Sequence, residues 1–174
     1  MLPEFRYFPD PLGKGAFIQG APRRCQCCGK ETEIWYEFPF YTVEDGIECL
    51  CPDCIASGAA AEKFDGEFQS EFVGEVSDPA KIDEWLKHTP GIRTIQDTPW
   101  VAHCDDFCAF VGYPAWEDLE EMGITGEIEE SYDQDINGFD LEDLKEGMRR
   151  GCCIQGYLFR CLHCGKYFLN ADID

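Results

Sequence analysis

Cations are scarce in this 174-residue chain: 14 Lys and Arg stand against 35 Asp and Glu, for a formal net charge of −21. Phosphate backbones are gripped by clustered Lys and Arg, so direct nucleic-acid binding is not expected. No run of about 18 apolar residues is present to span a bilayer as a helix. The first ten residues carry acids and prolines but no apolar stretch, so no secretory signal is expected there. Histidines number only three. A glycine-rich phosphate loop, a G-x-S-x-G elbow and a His/Glu zincin pattern are all missing. A Cys–His nucleophile pair would have to use His88. A non-enzymatic binding role is therefore the expectation, with an enzyme using an open metal position or a free thiol, or a transcription-linked zinc-ribbon protein, as the alternatives.

Cysteine is what the chain has in excess, with twelve. Most fall in clusters: Cys25-Gln-Cys27-Cys28-Gly29, Cys51-Pro-Asp-Cys54, His103-Cys104 with Cys108, and Cys161-Leu-His163-Cys164-Gly165. A disulfide framework needs an oxidising compartment, and nothing in the sequence supplies one. In a reducing, cytoplasmic setting, thiolate pairs at C-x-x-C spacing point to metal: one pair covers half of a tetrahedral shell, and two complete it. The expectation is two zinc ions per chain, one on Cys25, Cys28, Cys51 and Cys54, the other on Cys104, Cys108, Cys161 and Cys164. Four thiolates close a shell and leave no place for a catalytic water, so both sites read as structural. The register of the first turn leaves Cys27 as an alternative ligand. His103 and His163 stand beside ligands and are expected to make supporting hydrogen bonds, with entry into the metal shell as the alternative. Cys27, Cys49, Cys152 and Cys153 are expected to be free thiols.

The predicted fold class is α+β: zinc-ribbon or treble-clef-like knuckles, short antiparallel hairpins and several amphipathic helices, in one compact domain over residues 1–174. Residues 1–24 read as an extended aromatic arm. Residues 34–38 and 40–43 have strand composition, and Cys51–Phe64 opens an alanine-rich helix. A further helix starts at the Asp78 cap with Pro79 at its first position and stops at Pro90-Gly91. Others are predicted from Trp116 to Gly123 and from the Asp140 cap to Gly151. Residues 157–160 and 166–169 form a hairpin around the last knuckle. The second site would then tie that hairpin to the middle of the chain.

Between Glu117 and Glu146 acids dominate and Lys145 is the one base. A solvated face explains this, as does a docking surface for a basic protein partner, with Glu127, Glu129, Glu130 and Asp133 as the candidate contacts. The run Asp133-x-Asp135-x-Asn137-Gly138 starts like an EF-hand loop, but Leu144 stands where the bidentate Glu belongs. An acidic turn is the expectation.

Several stretches together resemble the CbrC family of bacterial proteins, named for a colicin-tolerance protein. They are Phe5-x-Tyr7-x-Pro-Asp-Pro-Leu12, Cys25-x-Cys27-Cys28-Gly-Lys30, Leu50-Cys51-Pro-x-Cys54-Ile-Ala56 with Lys63-Phe64, and Thr89-Pro-Gly91. Trp100-x-x-His103-Cys104, Asp106-Phe-Cys108, Val111-Gly-Tyr113 and the block from Gln155 to Lys166 complete the set. The resemblance implies tolerance of a nuclease colicin, in the manner of an immunity protein, without an established enzymatic activity. A basic nuclease toxin would suit an acidic binder.

Overall fold

The computed structural model describes residues 2–36, 38, 40–96 and 98–173. Two compact units divide the chain, one from residues 1–70 and 76–93, the other from 71–75 and 94–174. The class is α+β, with short antiparallel hairpins and cysteine clusters compatible with zinc-ribbon knuckles. Among the described residues no helix is long and apolar enough to cross a membrane.

In the first unit the N-terminal arm is packed, with Phe5, Tyr7 and Phe8 buried. It ends earlier than expected, because Ile18–Arg24 (β1) pairs antiparallel with Glu31–Trp35 (β2), Arg24 facing Glu31. The hairpin thus straddles the Cys25–Cys28 turn instead of following it, since the turn itself reverses the chain. Among the described residues, 34–38 and 40–43 do not pair with each other. Tyr36 bridges to Leu50 and Tyr41 to Glu67, while Glu37 lies outside the described residues. The strand-like composition there serves an aromatic cluster instead, in which Tyr36 meets Phe68 edge-on at 5.4 Å.

The single helix expected from Cys51 is two: Pro52–Ala56 (α1) and Ala59–Phe64 (α2). Gly58 breaks it with φ +75, and a Cβ there would come within 2.4 Å of the His88 ring. The third helix, Pro79–His88 (α3), is as expected: Asp78 caps it by accepting from the Ala80 N–H, and Trp85 is buried.

In the second unit Phe72–Val73 (β3) pairs parallel with Trp100–Val101 (β4). A separate sheet runs β5-β6-β7, built from Ala109–Gly112, Ile154–Arg160 and Tyr167–Ile173. The last two form the expected hairpin around Cys161–Cys164, longer at both ends. Four helices follow β5: Trp116–Met122 (α4), Thr125–Ser131 (α5), Gln134–Asn137 (α6) and Leu141–Gly147 (α7). Their Trp116, Leu119, Ile128 and Leu144 pack on Leu158, Leu169 and Ala171 of the sheet. Each such side chain contributes about 1.5–3 kcal/mol on burial. The Gly123 stop and the Asp140 cap stand where expected.

The acidic segment is ordered by its own carboxylates. Asp133 caps α6, accepting from the Asp135 and Ile136 N–H groups, so the EF-hand-like run is a short capped helix where an acidic turn was expected. β7 is a sheet edge, and an open edge invites pairing with another chain. Here side chains occupy it: Glu127 accepts from the Tyr167 N–H at 3.0 Å and Asn137 from the Ala171 N–H at 2.7 Å.

Candidate metal centres

Both knuckles have one construction. In the first, the Cys25 N–H donates to the Lys30 carbonyl at 2.9 Å and the Gly29 N–H to the Cys25 carbonyl at 2.8 Å. In the second, Cys161 donates to Lys166 at 2.8 Å and Gly165 to Cys161 at 3.0 Å. Each turn needs a left-handed residue after its second cysteine, and glycine supplies it at φ +75 and φ +78.

In the first unit the knuckle faces the start of α1, where Cys51 is the cap and Pro52 the first helical residue. Four sulfurs, of Cys25, Cys28, Cys51 and Cys54, lie within 4.8 Å of one another. The Cys25–Cys54 and Cys28–Cys51 pairs are 3.9 and 3.8 Å apart. A zinc–sulfur distance of about 2.3 Å in a tetrahedron sets sulfur–sulfur edges of about 3.8 Å, whereas a disulfide would need about 2.05 Å. The spacing fits a metal shell.

Charge points the same way. Burial pushes the Cys51 thiol up to about 11, and the Cys25 sulfur beside it adds to the rise. Cys54 is raised as well, by burial first and then by the neighbouring sulfurs, that of Cys51 foremost. At Cys28 a hydrogen bond from the Lys30 backbone brings the thiol down to about 7. Four thiolates repel at this spacing unless a cation sits among them, and a divalent ion would remove that repulsion.

Residues outside the cysteine pattern hold this site. Gln26 accepts from the Glu48 and Cys49 N–H groups at 2.7 and 2.8 Å and donates to the Gly46 carbonyl. Lys63 donates to the carbonyls of Gln26 and Cys27. Nothing in the spacing of the cysteines announces these two. The register is also fixed here, with Cys27 outside the quartet.

The second group differs from its sequence expectation. His103, Cys104, Cys161 and Cys164 converge within 4.8 Å, and Cys108 is not in that quartet. The His103 Nδ1 lies 3.3 Å from the Cys104 sulfur and 3.5 Å from that of Cys164. A tetrahedral metal with one nitrogen and three sulfurs sets such edges at about 3.6 Å, so this set also fits. A tight turn explains the exchange. The His103 N–H donates to the Asp106 carbonyl at 2.8 Å, and Ala102 bridges to Phe107. Residues 103 and 104 sit on the turn, while Cys108 lies past the bridge, one residue before β5. Cys104 and Asp105 have φ of 57 and 56, left-handed values that cost roughly 1–2 kcal/mol each without glycine.

Burial works against ionising Cys161, but the N–H groups of Cys164 and His163 and the His103 contact outweigh it and bring the thiol to about 6. Cys104 moves the other way, up to about 11, through desolvation and its sulfur neighbours. His163 stays outside the quartet. Its Nε2 lies 2.8 Å from the carboxylate of the fully buried Asp106, which also accepts from the Phe107 N–H at 3.0 Å. Asp106 thereby ties the turn to the knuckle, a role with no signal in the cysteine spacing. Among the described residues Cys49, Cys152 and Cys153 join neither group.

Glu127, Glu129 and Asp133, candidates for a partner surface, have partners within the unit. Glu127 holds the β7 edge, Glu129 pairs with Lys145 and Asp133 caps α6. Arg149 and Arg150 also fold back onto α4, where they meet Glu117 and Asp118. Asp118 is held below the usual carboxylate range by the Ala115 N–H, and then by Arg150.

Together these features define an α+β protein with two knuckle-type donor groups, each of which could hold a metal ion. The chain belongs to the uncharacterised protein family UPF0167, whose sequence model matches residues 2–173. It is 32% identical to UPF0167 protein PA1536 of Pseudomonas aeruginosa, over 98% of this chain and 97% of that one. It is also 32% identical to UPF0167 protein Mb2317 of Mycobacterium bovis and UPF0167 protein MT2352 of Mycobacterium tuberculosis, over 98% of this chain and 93% of each. No solved structure matches.

Proposed function

We propose that this is a zinc-stabilised cytoplasmic protein that acts by binding a basic protein partner, without catalysis. The observation that carries the reading is that each donor group is closed by four protein ligands, which leaves no position for a reacting water. Sulfur-rich tetrahedral sets favour zinc over harder ions. The resemblance to colicin-tolerance proteins suggests a nuclease toxin as the partner, whose phosphate-gripping surface would be cationic and complementary to a chain of charge −21.

Because Glu127, Glu129 and Asp133 serve the fold, the docking face is assigned to acids that point outward from the helices of the second unit: Glu120, Glu130, Glu142 and Glu146. Binding to a panel of nuclease toxins is measured by surface plasmon resonance, with zinc content measured alongside. Reversing those four to Lys should cut the on-rate about tenfold or more and flatten its salt dependence, with zinc content unchanged. Equal on-rates for wild type and variant would overturn the acidic docking face. Wild-type protein purified without zinc would overturn the structural reading.

A further inference from the structure

The register of the second sheet brings a fifth sulfur to the second donor group. Ala109 of β5 stands opposite Arg160 of β6 at the end of the ladder, and the same register carried one residue further sets Cys108 across from Cys161. Facing residues of antiparallel strands have Cβ atoms about 4.5–5.5 Å apart, within reach of two thiols. Burial pushes the Cys108 thiol well above its ordinary range, and the sulfurs of Cys161, Cys164 and Cys104 add to the rise. Cys108 is fully buried. Its backbone is pinned on both sides, the N–H donating to the Val101 carbonyl at 2.9 Å and the carbonyl accepting from the Trp100 Nε1–H at 2.8 Å. His103 is held in another way: its N–H donates to the Asp106 carbonyl, its carbonyl lies 3.7 Å from the Cys161 sulfur and its ring centroid 4.8 Å from that of Phe168. It is partly exposed and lies on the turn that carries the two left-handed residues.

We infer that this is a five-donor site in which Cys108 is a reserve ligand, taking the fourth position whenever His103 leaves it. The inference rests on the reading of the group as a metal site. In the exchange the metal–Nδ1 bond breaks and a metal–sulfur bond forms. The Cys108 thiol proton passes to the freed imidazole, and no electron is transferred. Four donors are retained throughout, so His103 can swing out without loss of the ion.

Cobalt(II) reports the donor set, because the sulfur-to-cobalt charge-transfer band grows with the number of thiolates. The full chain is loaded with cobalt as wild type, His103→Ala, Cys108→Ala and the double variant, and bound cobalt is counted for each. Wild type and Cys108→Ala should bind two ions with the same spectrum. His103→Ala should also bind two, with a stronger charge-transfer band. The double variant should bind one, and that remaining ion in the first unit shows that the chain is still folded. Loss of one ion by His103→Ala alone would overturn the proposal, as would loss of one by Cys108→Ala or retention of two by the double variant. A wild type that binds no cobalt would instead overturn the metal reading itself, so the two failures are distinguishable.

Discussion

The two knuckles share a pair of backbone hydrogen bonds and a left-handed glycine, yet the groups they complete are not alike. In the first unit the partner of the knuckle is a helix start, with Cys25, Cys51 and Cys54 all buried and four sulfurs as donors. In the second it is a strained turn that supplies a histidine, with Cys104 and Cys164 exposed. The same local motif therefore builds a group with one exposed donor, Cys28, in one place and a group with two exposed donors in the other. The element facing the knuckle decides which. A helix N-terminus offers N–H groups and a partial positive charge to sulfur. The Cys51 N–H does donate to the Cys25 sulfur at 3.2 Å. A turn held by backbone strain brings its donors to the surface instead.

The largest effect that separates the two is removal of one ligand from each. Cys54→Ser should abolish metal binding and cooperative unfolding in the first unit, because metal and folding energies are coupled at roughly 10 kcal/mol for such sites. Cys164→Ser, at the exposed rim with Cys108 in reserve, should cost several-fold less and leave both ions bound. Thermal unfolding with metal analysis checks both. Equal losses in the two variants would mean that the facing element does not matter. Next in size is a kinetic difference. Transfer of metal to a chromophoric chelator should occur in two phases, with Cys104 and Cys164 becoming open to alkylation in the fast one and Cys51 and Cys54 in the slow one. A single phase with all cysteines alkylated together would remove the distinction.

How much of this was legible in the sequence follows from the range of the interactions. The knuckles, the Asp78 and Asp140 caps and the Gly123 stop are set within a few residues, and each is where spacing and cap chemistry placed it. The first quartet was legible because a C-x-x-C pair at a helix start has its geometry fixed locally. The second was legible only in part. Choosing between His103 and Cys108 depends on a turn closed by the Ala102–Phe107 bridge and on left-handed φ values at Cys104 and Asp105, which no propensity favours. Asp106, Gln26 and Lys63 were invisible for a similar reason, since each acts across more than 20 residues of chain. The acids show the limit of reading charge. Glu127 and Asp133 counted toward a surface, but they hold a sheet edge and a helix end. Two short helices, α5 and α6, were missed because acidic segments of seven and four residues carry little apolar periodicity.

The smallest effect tests the likeness instead of the contrast. Gly29 and Gly165 have the same left-handed φ, and a Cβ at Gly29 would meet nothing within 4 Å. At Gly165 the nearest atom is the Arg160 Nη2 at 3.4 Å, the far end of a flexible side chain in ordinary contact. Substitution by Ala should therefore cost only the backbone strain, about 1 kcal/mol at either site. Urea midpoints of Gly29→Ala and Gly165→Ala, measured with metal bound, should drop by the same amount within error. A much larger drop at Gly165 would show that the second knuckle is held under more strain than its hydrogen bonds indicate. The difference between the two groups would then begin in the turn they share, and not in the element that faces it.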